Sequence, residues 1–205
     1  VSSLGLNPWR VTVGLLPGSR AQEIRRHLPL LLEAASRIAW RMPGVQFVLP
    51  KTPGVPSRLF EPAMNRSVDI VLSDRPINDC LHVMEAAIVA SGTATLEAAL
   101  MDVPMVVVYR TSLPTYLAAK AVVRVPQIAM INVMAGKTVV PEYLQHRATP
   151  QAIAEEIVKL LRDDRRREAM RVELRCVRDQ LGPPGAVERA ARAILEELTG
   201  SVHRP

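Results

Sequence analysis

Short apolar runs alternate with stretches of helical spacing along most of this chain, and few architectures accept that pattern. Val11–Leu16 (VTVGLL) reads as a strand buried on both faces of a sheet, and Pro17-Gly18 ends it. From Ala21 to about Arg41 the period becomes helical, with Ile24, Leu28, Leu31, Leu32, Ala35 and Ile38 on one face. The alternation then repeats. Strands are predicted at Val45–Pro50, Asp69–Ser73, Ala87–Ser91 and Pro104–Arg110, with a weaker one at Gln127–Asn132. Helices are predicted at Asn78–Ala87, Thr93–Met101 and Leu113–Val123, and a short one ends near Asn65. After Pro141 the signal is helical only: Glu142–His146, Pro150–Arg162, Asp164–Gln180 and Gly185–Leu198. The expected fold is α/β. A doubly wound, mostly parallel, Rossmann-like sheet covers residues 11–148, and a helical C-terminal extension covers residues 149–205.

Composition removes several function classes. With 48% apolar and 22% charged residues, the chain has the makeup of a globular protein and not of a disordered one. Cys80 and Cys176 lie far apart without metal-ligand spacing, so neither a zinc site nor a disulfide framework is expected, and a reducing compartment fits better. No apolar run approaches the roughly 18 residues of a membrane span. The net charge of +6 favours anionic partners. Yet the densest basic cluster, Leu161–Arg175, interleaves acids at helical spacing, the pattern of a solvated face laced with ion pairs. Contact of this tail with an anionic lipid surface stays open. Two tryptophans, two phenylalanines and three tyrosines make too little stacking surface for single strands, and no nucleic-acid partner is expected.

In doubly wound sheets ligands sit beyond the carboxyl ends of the strands, so the loops after strands are where chemistry is sought. Gly18 permits a tight turn, Ser19 is placed as a helix cap with Gln22 completing a capping box, and Arg20 adds a fork donor at the same helix entrance. That combination suits a phosphate, or it is an ordinary turn with a surface arginine. Neither GxxxxGK[ST] nor GxGxxG occurs. Ser91, Gly92 and Thr93 form a second small-residue turn. Glu97, one helical turn further, either faces solvent or meets the two hydroxyls of a ribose. His82 and Glu85 lie three apart on a helix without a third ligand, so His82 reads as a surface or packing residue. Asn132, Glu142 and Gln145 are polar residues in an apolar segment that line a cleft or only satisfy a loop. Nucleophilic triads lack any activated pairing signal. No metal and no cofactor is expected.

Leu15–Ile24 (LLPGSRAQEI), Val83–Arg110 and Ile131–Gln145 (INVMAGKTVVPEYLQ) resemble, in order and spacing, the lipid-A-disaccharide synthase family of GT-B glycosyltransferases. One departure is Ile131, where many members have proline before the asparagine. The resemblance implies a metal-free inverting hexosyltransferase of lipid A biosynthesis, cytoplasmic and peripheral at the inner membrane. It joins 2,3-diacylglucosamine from its UDP donor to 2,3-diacylglucosamine 1-phosphate, forming a β-1,6 disaccharide and UDP. This chain would be the C-terminal, donor-binding half of the GT-B fold, with residues 1–10 a linker from an N-terminal half that holds the acceptor site and the catalytic base. Gly18, Ser19 and Arg20 would meet the diphosphate, Arg20 stabilising the leaving group. Ser91, Gly92, Thr93 and Thr95 would line the nucleotide loop, and Glu97 would hold the ribose. Backbone groups at Ile77–Leu81 would read uracil, while Asn132, Glu142 and Gln145 would face the inter-domain cleft. The C-terminal helices would pack on their own N-terminal half or swap in a homo-oligomer. Alternatives are another UDP-sugar transferase of this fold, a UDP-sugar epimerase, and a non-catalytic nucleotide-binding or regulatory module.

Overall fold

The computed structural model describes residues 4–64, 67–112, 127–182 and 185–200. Strands β1 (Thr12–Leu16), β2 (Gln46–Pro50) and β4 (Ala86–Ala90) are buried along their whole length, as unalternating apolar runs require when helices cover both faces. With β3 (Ile70–Ser73), β5 (Met105–Tyr109) and β6 (Glu142–Leu144) they make one parallel sheet in the order β3-β2-β1-β4-β5-β6. The chain leaves β1 toward β2, then returns to place β4 on the other side of β1. Order therefore reverses between β1 and β4, the switch point where such sheets open a crevice. Right-handed crossovers put the helices after β1 and after β4 on opposite faces.

Helix α1 (Ala21–Arg41) buries the predicted apolar face, and with it His27. Helices α2 (Glu61–Met64), α3 (Ile77–Leu81) and α4 (Ala94–Leu100) are short, and a 3-10 turn at Ser57–Phe60 precedes α2. Helices α5 (Met130–Ala135), α6 (Pro150–Arg162), α7 (Asp164–Gln180) and α8 (Ala186–Gly200) follow. α6 starts where the Thr149 hydroxyl accepts the Ala152 N–H at 3.2 Å and Pro150 supplies a preset φ. Its Ile153, Ala154, Ile157 and Leu160 are fully buried, and it packs on α1 and β4. The expected extension thus begins inside the core. α7 lies against α4 and α5, and Arg171 pairs with Glu85 while Arg175 and Arg178 pair with Asp102. α8 leaves Val187, Ile194, Leu195 and Leu198 exposed. Residues 4–10, expected as a linker, pack onto the domain: Leu4 and Leu6 are buried, and the Asn7 backbone exchanges two hydrogen bonds with the Gln46 carboxamide.

Three predicted elements are corrected. The expected strand at Gln127–Asn132 is a coil running into helix α5, and the expected helix at Glu142–His146 is strand β6 followed by a 3-10 turn, Gln145–Arg147. Asn132 explains both. It is fully buried, its Oδ1 accepts the N–H groups of Val139 and Val140, and its Nδ2 donates to Val140 O and to Glu142 Oε1. The carboxamide acts as a local strand partner that brings Glu142 alongside Val107 of β5. The predicted helix Asn78–Ala87 stops at Leu81, because the Glu85 N–H joins Thr12 O at 2.9 Å and commits Ala86 and Ala87 to the sheet. The predicted helix Leu113–Val123 lies outside the described residues. Among the described residues no helix is long and apolar enough to cross a membrane.

Candidate functional site

A crevice of about 480 Å³ opens at the carboxyl ends of β1, β2, β3 and β4, spanning the switch point. Gly18 and Ser19 line it from the first turn, Lys51 and Thr52 from the second, Arg75 and Ile77 from the third, and Ser91, Gly92, Thr93 and Glu97 from the fourth. Short βα loops achieve this convergence, since every strand of a parallel sheet delivers its following turn to the same edge. The turns are tied to one another. The Thr52 hydroxyl donates to Gly18 O at 3.2 Å, and Lys51 Nζ meets Asp74 Oδ1 at 2.6 Å. Ser73 Oγ accepts from the Arg75 N–H and from the buried Cys80 thiol.

At the fourth turn, the N–H groups of Gly92, Thr93 and Ala94 have no acceptor among the described residues. The first N–H to bond back is that of Thr95, to Gly92 O. All three residues line the crevice, and unbonded amides at a helix entrance suit an anion. Thr95 is oriented otherwise than its place in the motif implies: it is fully buried and its hydroxyl returns to Gly92 O at 2.7 Å, locking the turn. Glu97 does reach the crevice.

At the first turn the helix cap is Arg20, not Ser19, and the reciprocal carboxylate is Glu23, not Gln22. Glu23 Oε2 accepts the N–H groups of Ser19 at 2.9 Å and Arg20 at 3.3 Å, so this entrance offers an anion less than its sequence implies. Gly18 is needed here. Its φ is +116°, and an added Cβ would stand 2.5 Å from Glu23 Oε2. The Arg20 guanidinium is 83% exposed, with Nη1 3.2 Å from Glu23 Oε1. It does not line the crevice; it lines a neighbouring cavity of about 220 Å³ that shares Glu23 and Ser91 with the crevice.

Asn132, Glu142 and Gln145 do not line the crevice. Glu142 accepts the N–H groups of Ile128 and Ala129 as well as Asn132 Nδ2, and Gln145 Oε1 accepts the Thr111 N–H at 3.3 Å. These bonds satisfy the loops around β5 and β6, while the buried Gln145 Nε2 has no hydrogen-bond partner among the described residues. His82 and Glu85 lie at the opposite edge, where Glu85 pairs with Arg171. Lys51, Thr52, Asp74 and Arg75 were missed from sequence; their position directly after β2 and β3 was the available signal. Among the described residues no three His, Cys, Asp or Glu side chains are grouped to hold a metal.

Solved structures share this fold. A glycosyltransferase involved in lipopolysaccharide biosynthesis, WaaG, superposes with a TM-score of 0.62 at 15% identity, covering 94% of this chain and 49% of that one. The calicheamicin glycosyltransferase CalG4 does so with 0.59 at 17% identity, covering 97% and 46%. The fold is that of one half of a GT-B glycosyltransferase. Sequence narrows the class further: the family model described as lipid-A-disaccharide synthetase matches residues 2–195, and the chain belongs to that family. It is 43% identical over 196 residues to the lipid-A-disaccharide synthase of Anaeromyxobacter dehalogenans (strain 2CP-C), covering 95% of this chain and 51% of that protein. For the Geobacter metallireducens protein of that name the figures are 41% over 199 residues, 97% and 52%. The chain spans about half the length of the curated relatives it matches.

Proposed function

We propose that the crevice binds the uridine diphosphate moiety of UDP-2,3-diacylglucosamine, and that the protein containing this chain transfers the sugar to 2,3-diacylglucosamine 1-phosphate. The observation that carries the reading is the open row of Gly92, Thr93 and Ala94 N–H groups in a crevice that also holds Glu97. Three amides at a helix entrance meet a diphosphate, and a carboxylate one turn behind accepts two hydrogen bonds from the ribose. The apolar wall of Pro50, Pro53, Pro76 and Ile77 takes the face of the base. Membership of the lipid-A-disaccharide synthetase family supports an acylated glucosamine nucleotide as the donor.

In this reaction the acceptor 6-hydroxyl attacks the anomeric carbon from the face opposite the nucleotide. The bond from that carbon to the β-phosphate oxygen breaks, its electron pair stays on UDP, and the hydroxyl proton passes to a base. Inversion follows from that in-line geometry. The amides of the fourth turn and the Arg20 guanidinium stabilise the departing charge. Single donors in comparable oxyanion sites are worth about 2.7–4 kcal/mol. The acceptor site and the base belong to the part of the protein outside this chain. The acylated substrates favour work at a membrane surface, and the nucleotide-sugar donor favours the cytoplasmic face of the inner membrane.

Calorimetric titration with UDP and with pyrophosphate tests the assignment. Glu97→Gln is expected to weaken UDP more than pyrophosphate, and equal losses would remove the ribose contact. Arg20→Ala in the intact protein is expected to depress turnover strongly with the fold unchanged; full turnover would remove the leaving-group role.

A further inference from the structure

His27 is the buried polar group that the nucleotide reading leaves without a task. It projects from α1 with 2% exposure, among Ile24, Leu28 and Leu31 of the apolar face. Its Nδ1 lies 3.1 Å from Pro17 O, and the Arg110 N–H points at its Nε2 from 3.1 Å. A carbonyl only accepts and an N–H only donates. One neutral tautomer satisfies both partners: hydrogen on Nδ1, lone pair on Nε2. The two partners belong to different strands. Pro17 begins the turn leaving β1, and Arg110 directly follows β5; β4 lies between those strands. The imidazole therefore links the two segments that flank the Ser91–Gly92–Thr93 turn, and it lines the side cavity together with Arg20 and Ser91.

We propose that His27 is a positioning residue for the crevice, a neutral imidazole strap that holds the turn after β1 and the end of β5 around the amides that receive the diphosphate. This rests on the nucleotide reading above. Other contacts brace the same strap: Arg26 Nη1 donates to Arg110 O at 3.4 Å, and Arg110 Nη2 donates to Ala148 O at 2.5 Å. The charged and titratable groups around the ring are Glu23 and Arg26 from α1, Arg110 from the end of β5, and Tyr109, whose ring centroid is 6.5 Å away. Burial lowers the pKa of His27, opposed in part by its bond to Pro17 and by Glu23, so the ring is neutral at neutral pH. A proton on Nε2 would face the Arg110 N–H and break the link.

The test is calorimetric binding of UDP-N-acetylglucosamine to the intact protein from neutral to mildly acidic pH. Both phosphates of this probe are esterified, so its own charge does not change over that range, unlike that of UDP. His27→Ala is expected to weaken binding about tenfold. His27→Gln, which restores an acceptor near the Nε2 position, is expected to recover part of the loss. Affinity of the unsubstituted protein should fall on the acid side, and that limb should be missing in His27→Gln. If folded His27→Gln, checked by circular dichroism and melting, binds the probe with the affinity and pH profile of the unsubstituted protein, His27 is only a core residue and the proposal fails. His27→Gln decides the matter even if His27→Ala does not fold. No binding by the unsubstituted protein would overturn the nucleotide reading itself, and the strap with it.

Discussion

The two edges of the sheet carry cavities of different character, and the larger one is not the candidate site. At the amino edge a cavity of about 710 Å³ is lined by Trp9, Asp102, Arg167, Arg171 and Arg175 among others. Its charges are mostly paired: Arg171 Nη2 lies 3.3 Å from Glu85 Oε2, Arg175 Nε 3.2 Å from Asp102 Oδ2, and Arg167 Nη2 2.6 Å from Asp164 Oδ1, while the buried Arg167 Nε has no hydrogen-bond partner among the described residues. The crevice at the carboxyl edge is smaller, about 480 Å³, yet three residues lining it carry backbone donors without an acceptor among the described residues. An anion entering the amino edge must displace carboxylates, whereas one entering the carboxyl edge meets donors ready for it. A row of unbonded backbone amides, more than volume or net charge, sets the candidate binding edge apart from the ion-paired one.

The largest expected effect comes from blocking the carboxyl edge. Ser91→Trp, which fills the crevice beside the amides, should weaken UDP binding by about a hundredfold, or ~2.7 kcal/mol. Retained affinity would move the ligand elsewhere. Asn132→Ala comes next. It strands the N–H groups of half-buried Val139 and buried Val140 and should cost about 2 kcal/mol in urea unfolding, with UDP affinity nearly unchanged. A large loss of affinity at unchanged stability would return Asn132 to the ligand.

A smaller effect concerns pH. The folded pKa of His27 lies below its ordinary value of 6.5, so the unfolded chain takes up a proton that the folded chain refuses as pH falls from that value toward the lowered one. His27 should therefore cost no stability above the ordinary value and erode it progressively below. Urea titrations should show that this acid-side loss shrinks in His27→Gln. Arg171→Ala should do least. Its partners are half-exposed carboxylates, so the cost should stay under about 1 kcal/mol, with UDP affinity unaltered. A strong loss of binding there would break the contrast between the edges.

Within the carboxyl edge, legibility followed the range of the cause. The turn residues Gly18, Ser19, Ser91, Gly92 and Thr93 announce themselves, because small residues between a strand and a helix have a local reason to be there. The orientation of Thr95 depends on the whole turn, and Glu23 outcompetes Gln22 only because the cap falls one residue later than the sequence implies. His27 looks like one more residue on a helix face. Its partners, 10 and 83 residues away, are brought to it by the sheet.

The sequence by itself determined the first five parallel strands and the amphipathic face of α1, since a run of apolar residues or a 3.6-residue period imposes its secondary structure wherever it packs. Tertiary structure decided the last strand. Met130–Ala135 and Glu142–Leu144 are too short for periodicity to choose between helix and strand, and the choice fell to Asn132 and to the open edge of β5. It also decided which helix entrance stays open to an anion, because an amide is free or spent according to the carboxylate that folding brings to it.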